Sequence, residues 1–312
     1  MDNHGSRVAG GGVGGVGFGG WRDGLVVVSG KDVVEGLVGS RVGGLVGGWF
    51  GQLVAGGVVV TTVPLLRAGE VAALIDLTQP TLLICDPRFT DDLPATDVPV
   101  ITDLAERCLA KPTRFTAVDT AADDVALLAT TSGTTGRPKA TMHYHRDVLA
   151  IADTFGKHVL KPTPDDVFTG TPPLGFTFGL GGLVIFPLRV GASTVLVERT
   201  TDLPATIAQH RVTVLFTAPT AYKAMLTADV SKLTSLRRCV SAGEHLSQPV
   251  WTKFFNTTGV RIIDGIGGTE MLHIFISAAD DDIVPGATGR AVPGYQAVVL
   301  SDEGDPVPDD LK

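Results

Sequence analysis

From Leu53 onward the chain alternates short apolar runs of about five residues with amphipathic stretches, and this alternation is what most restricts its fold. Strands are expected at Val58–Val63, Leu82–Cys85, Val125–Thr130, Val167–Gly170, Ser193–Val197, Val212–Phe216, Leu236–Val240 and Arg261–Ile263. Helices are expected between them, at Ala68–Leu77, His145–Lys157, Gly179–Phe186, Leu203–His210, Pro219–Leu226 and Gln248–Thr257. Strands separated by helices imply right-handed βαβ crossovers, hence an α/β fold with parallel-rich sheets covered by helices. Ligands of such sheets bind beyond the carboxyl ends of the strands, so the loops there carry the chemical interest. Residues 111–123 are polar and read as a connector.

The first 52 residues do not share this pattern. Twenty of the 39 glycines fall within residues 1–57, mixed mainly with valine, and such a segment has no period with which to build a core. Residues 1–52 are therefore expected to be a disordered tail or the product of a wrong reading frame, with residues 53–312 as the folded domain. Gly12, Gly14 and Gly17 match Gly-x-Gly-x-x-Gly, but no strand–turn–helix context surrounds them, so no dinucleotide fingerprint is read here. The uncharged run Val42–Leu66 is long enough for a membrane span, yet its glycines, Gln52 and Pro64 favour a buried helix followed by a strand. A net charge of −8 lacks the basic footprint of a nucleic-acid binder. Cys85, Cys108 and Cys239 form no paired motif and read as buried free thiols in a reducing compartment, and with no leader-like start a cytoplasmic location is expected.

Thr131-Ser132-Gly133-Thr134-Thr135-Gly136-Arg137-Pro138-Lys139, directly after a predicted strand, is the most informative segment. Glycines let backbone N–H groups approach an anion, hydroxyls add donors, and Lys139 supplies a point charge, a combination suited to a polyphosphate. It is not a Walker-type loop, because Pro138 stands where the second glycine belongs and Ala140 follows the lysine. The same residues also dominate ordinary polar turns.

Residues Ser132–Lys139 closely resemble the signature phosphate loop of the adenylate-forming superfamily, which contains the acyl- and aryl-CoA synthetases. Three further segments agree in order. Pro172–Gly179 looks like the family's aromatic gate beside the acyl pocket, Ser241–Leu246 like the loop against adenine, and Asp264–Glu270 like the loop contacting the α-phosphate and magnesium. Ala140–Asp147 and Glu270–Ser277 look most like benzoate- and 2-aminobenzoate-CoA ligases. The resemblance implies the large N-terminal domain of these enzymes, incomplete and without its C-terminal lid. It implies ATP, Mg²⁺ and CoA as co-substrate, a small aromatic acid as substrate, and neither nucleic acid nor membrane as partner.

By that resemblance Lys139, Thr269 and Glu270 are the catalytic candidates, with Glu270 on the metal. Thr131, Ser132, Gly133, Thr134, Thr135, Gly136, Lys139, Gly243, Glu244, His245, Asp264, Gly265 and Thr269 are expected to surround the nucleotide. Phe176, Phe178, Tyr222, Gly267 and His273 are expected around the acid. Each has a plainer reading. Thr269 and Glu270 suit a helix start, while Phe176, Phe178, Tyr222 and His273 suit core packing. His143 and His145 form a His-x-His pair without a further ligand set, and a strand-end or helix-start role is expected for them rather than zinc. Two departures stand out: Ala140 replaces a usual glycine, and Gly268 replaces a usual Ser, Ala or Thr. The family's later Thr-Gly-Asp segment and lid lysine have no counterpart before Lys312, so impaired turnover is expected. A non-catalytic nucleotide- or aryl-acid-binding module is the alternative.

Overall fold

The computed structural model describes residues 26–29, 51–63, 66–109, 111, 114–131, 138–197 and 202–307. Two sheets form its frame. The first contains β1 (Val26–Ser29), β2 (Val58–Thr61), β3 (Leu82–Ile84), β4 (Val100–Ile101), β5 (Val125–Thr131) and β6 (Lys139–Tyr144), in the order β4-β3-β1-β2-β5-β6. The pairs β2/β5 and β3/β4 are parallel. β1 runs antiparallel to both of its neighbours, and β6 pairs antiparallel with β5. The second sheet contains β7 (Val167–Gly170), β8 (Ser193–Thr194), β9 (Val214–Thr217), β10 (Arg238–Ala242), β11 (Ile262–Gly267), β12 (Ile274–Ser277) and β13 (Arg290–Ala291). Its order is β13-β12-β11-β10-β9-β7-β8, parallel from β8 to β11 and antiparallel at β12 and β13.

The helices are α1 (Ala68–Thr78), α2 (Leu104–Leu109), α3 (His145–Ile151), α4 (Thr177–Leu180), α5 (Phe186–Val190), α6 (Leu203–His210), α7 (Pro219–Met225) and α8 (Gln248–Thr258). Proline in the first turn of α6, α7 and α8 sets their start, where a missing N–H costs nothing. Asp202 caps α6 by accepting from Ala205 N at 3.0 Å. α3 continues as a wide π-type helix over Ala152–Leu160, and another such turn, Gly181–Ile185, joins α4 to α5.

Strand alternation in the second sheet sorts its side chains between two cores. Val214, Phe216, Val240 and Ile263 belong to one core with the buried residues of the π-type helices and with Val59 and Leu127 of the first sheet. Leu215, Cys239 and Ile262 face the other way, against Ile207 of α6, Tyr222 of α7 and Trp251 and Phe254 of α8. The sheet is thus covered on both faces. Its start is secured by Asp166, whose buried carboxylate receives Thr163 N at 2.7 Å, Thr213 Oγ1 at 2.7 Å and Arg237 Nε at 2.6 Å.

The structure departs from the sequence reading in several places. Val26–Ser29, inside the glycine-rich segment, adds a strand to the middle of the first sheet; the helical residues 51–54 ahead of β2, by contrast, agree with the helix-then-strand reading of that stretch. The rest of residues 1–50, with its glycine motif and Val42–Phe50, lies outside the described residues. Residues 139–144, to which the sequence reading assigned no element, form a strand that pairs with β5, with Thr131 opposite Lys139. β10 and β11 extend further toward their carboxyl ends than expected, to Ala242 and Gly267, and β8 is only two residues long. Cys85 and Cys239 are buried free thiols, and burial pushes the Cys85 thiol up to about 11. Cys108 lies on α2, with its side chain outside the described residues.

Candidate active site

Because β7, β9, β10 and β11 are parallel, their carboxyl ends open on one edge. Ser241 pairs with Asp264 and Ala242 with Gly265, so Gly243, Glu244 and His245 leave β10 beside the end of β11 and are exposed. Asp264 Oδ1 and Ser241 Oγ are both buried without a hydrogen-bond partner, while Thr288 Oγ1 reaches Asp264 Oδ2 at 3.4 Å. Burial raises the Asp264 carboxyl above its ordinary pKa, against the opposing pull of the Thr288 hydroxyl. Unpartnered polar atoms at a sheet end are costly unless a ligand or water completes them.

The hairpin β5–β6 approaches from the other sheet. Thr131 is half-buried and Lys139 exposed at its tip; Ser132, Gly133, Thr134, Thr135 and Gly136, predicted to hold phosphate, lie outside the described residues. Alternation puts Lys139, Thr141 and His143 on one face of β6. From that face His143 Nε2 donates to the Thr269 carbonyl at 2.8 Å, and the short turn Thr269–Met271 packs against β5. Burial holds the His143 imidazole below its ordinary pKa, although the Thr269 carbonyl and the charges of Asp147 and Glu270 pull the other way. Glu270 itself is exposed and forms no ion pair among the described residues. The hairpin and the Glu270 turn are therefore neighbours in space.

A third wall comes from the loop after β7. Thr171 Oγ1 meets Thr217 Oγ1 at 2.6 Å, and Thr61 Oγ1 of the first sheet donates to Gly175 O at 3.1 Å. Only glycine allows that approach, since a Cβ at 175 would overlap the Thr62 carbonyl. Phe176 beyond it is 52% exposed, whereas Phe178 turns inward. There Phe178, Phe155, Phe186 and Phe216 ring His273, with Phe186 edge-on at 4.6 Å between centroids. Gly181 makes room, because a Cβ there would run into the imidazole. Neither ring nitrogen of His273 has a hydrogen-bond partner, and burial pushes its pKa down to about 3. Gly265 lies buried at the sheet end and Gly267 is exposed next to the β11–β12 irregularity.

Tyr222 does not belong to this group. It is fully buried on the opposite face of the sheet, its hydroxyl donates to Val240 O at 2.9 Å, and its ring packs edge-on to Phe254. The expected substrate role at Tyr222 is corrected to core packing. Conversely, the sequence reading placed Ser241 only within the Ser241–Leu246 loop against adenine, with no role of its own, and gave His143 only a strand-end or helix-start role. The period-two run through Thr141 and His143 was the available signal for the second. Among the described residues no cluster of three or more metal-ligating side chains exists. Glu270 alone still fits Mg²⁺, which takes one or two carboxylates and fills its remaining positions with phosphate oxygens and water. No helix of the described residues is long and apolar enough to cross a membrane.

Comparison with known proteins agrees with this fold. A benzoate–CoA ligase of Thauera aromatica is 39% identical over 199 residues, which cover 61% of this chain and 37% of that protein. A solved anthranilate CoA ligase in complex with anthranoyl-AMP superposes with TM-score 0.77 and 34% identity, covering 84% of this chain and 55% of the other. A benzoate CoA ligase from Burkholderia xenovorans LB400 gives TM-score 0.75 and 29% identity, covering 84% and 56%. The chain thus spans about half or less of the length of these relatives. The description "AMP-binding enzyme" matches residues 29–312, so most of the glycine-rich segment lies outside the match, and this chain belongs to the AMP-binding enzyme family.

Proposed function

We propose that these residues form the nucleotide- and acid-binding core of an ATP- and Mg²⁺-dependent acid–CoA ligase. Its substrate is an aromatic carboxylate of the benzoate or 2-aminobenzoate class, carried first to an acyl-adenylate and then to a CoA thioester. The observation that carries the reading is the His143–Thr269 bond, which joins the Lys139 hairpin to the Glu270 turn beside an aromatic-lined core.

In the adenylating step a carboxylate oxygen forms a bond to the α-phosphorus of ATP while the bond to pyrophosphate breaks. All reacting groups are anionic, so the work is charge neutralisation and alignment. Lys139 supplies a cation at the hairpin tip, and the hydroxyl of Thr269 offers a donor to the α-phosphate. Glu270 would hold Mg²⁺, which when bound draws charge from the phosphate oxygens. Gly243, Glu244, His245, Asp264 and Gly265 border the adenine end; Thr131 and residues 132–136 border the phosphates. Phe176, Phe178, Gly267 and His273 border the acid, where an apolar, aromatic wall with few polar groups suits a benzoate-like ring.

ATP–pyrophosphate exchange tests the reading. Benzoate or 2-aminobenzoate should stimulate exchange and acetate should not. Saturable ATP binding with no acid-dependent exchange would favour the alternative, a non-catalytic nucleotide- or aryl-acid-binding module.

A further inference from the structure

We infer that His143 is a positioning residue, holding the Thr269–Glu270 turn against the Lys139 hairpin so that the metal and phosphate sides of the cleft keep a fixed separation. This rests on the function proposed above. The bond runs from β6 of the first sheet to the turn after β11 of the second, joining residues 126 apart in the chain. Its direction follows from the partners: a carbonyl can only accept, so the proton is on Nε2. Thr141 fixes the same tautomer. Its hydroxyl proton goes to Ala129 O at 3.0 Å, leaving Oγ1 to accept from His143 Nε2 at 3.2 Å. The single Nε2–H is thus shared, with Thr141 Oγ1 of its own strand at 3.2 Å aligning the ring and the Thr269 carbonyl at 2.8 Å taking the shorter bond.

The turn needs such an anchor. It is only three residues long, and its preceding residue, Gly268, supplies no side-chain cap. It ends at Leu272, a non-glycine residue held at φ 62°, a left-handed conformation that survives only where the surroundings enforce it. The Leu272 side chain is buried in the core, and Leu272 N donates to the Thr269 carbonyl that also receives His143. Glu270 lies between the anchored carbonyl and the strained residue. Without His143 the turn is free to relax toward ordinary backbone and carry the Glu270 carboxylate away from the hairpin.

The test compares the 312-residue chain with His143→Leu and His143→Gln. Hydrogen exchange is followed at the Met271 and Leu272 amides, and ATP affinity is measured with and without Mg²⁺. His143→Leu should speed exchange at those two amides while β9 and β10 stay protected, and should weaken the Mg²⁺-dependent part of ATP binding about tenfold. His143→Gln retains a donor and should recover part of both. If His143→Leu fails to fold, Thr141→Val, which removes the acceptor orienting the imidazole, should shift both measurements the same way, about threefold. Unchanged exchange and unchanged Mg²⁺ dependence in the folded variants would overturn the inference while leaving the proposed function intact. Absence of ATP binding by the unaltered chain would overturn the function and the inference together.

Discussion

Glu270 and Lys139 are both exposed, so their side chains contribute little to the fold and can be replaced without disturbing it. Lys139→Ala and Glu270→Gln should each lower acid-dependent pyrophosphate exchange by about 10²–10³-fold, the scale of losing one electrostatic stabiliser of a transition state. Their melting temperatures should match the unaltered chain; a large drop in stability would mean these residues act in folding. His273 makes an opposite prediction. Its native pKa of about 3 lies below the ordinary 6.5, so the unfolded chain binds more protons between those values. The stability tied to its neutral form is present above about pH 6.5 and is lost as pH falls toward about 3. Urea unfolding across that window should show the decline, and His273→Leu should flatten it. The hydroxyl–glycine–lysine string and the Thr-Glu pair were legible as candidates, because the chemistry proposed for them lies in residue type. Tyr222 was not, since an aromatic at a strand–helix junction reads alike whether its helix covers the ligand-bearing face of the sheet or the other one.

At the scale of elements, the parallel strands β7, β9, β10 and β11 announce themselves as apolar runs because they are buried on both faces. β6 does not, because it is an edge strand mixing Lys139, Thr141 and His143 with exposed Met142, and no continuous apolar pattern marks it. The π-type widening of the helices that enclose His273 is also absent from the sequence, for one extra residue per turn barely alters a local 3.6-residue pattern. The pin at the start of the second sheet yields a stability prediction. Burial tends to raise the Asp166 carboxyl, yet Arg237, Thr213 and the Thr163 amide together hold it below its ordinary pKa. Arg237→Met leaves that carboxylate buried without its cation. The expected loss is about 2–4 kcal/mol by urea unfolding at neutral pH, at or below the usual range because Arg237 is itself partly exposed. A loss under about 0.5 kcal/mol would show that the hydroxyl and amide donors suffice.

Across the whole molecule, two sheets share one core, and the candidate cleft lies where the hairpin of the first meets the strand ends of the second. The α/β class follows from the alternation of strands and helices, but the split into two sheets does not, because local pattern cannot say which strand pairs with which. β1 was hidden for another reason: four residues of valine and serine amid glycine carry no period until neighbours on both sides supply hydrogen bonds. If that cleft binds nucleotide, Mg²⁺·ATP at about 100 times its Kd should stabilise the fold by about 2.7 kcal/mol, seen as a rise in melting temperature. The most direct measurement is calorimetric titration of ATP into the 312-residue chain with and without Mg²⁺, repeated on Lys139→Ala and Glu270→Gln. The expected result is single-site binding strengthened by Mg²⁺, weakened by the lysine change, and stripped of its Mg²⁺ dependence by the glutamate change. Binding that both variants retain unaltered, or no binding at all, would contradict it.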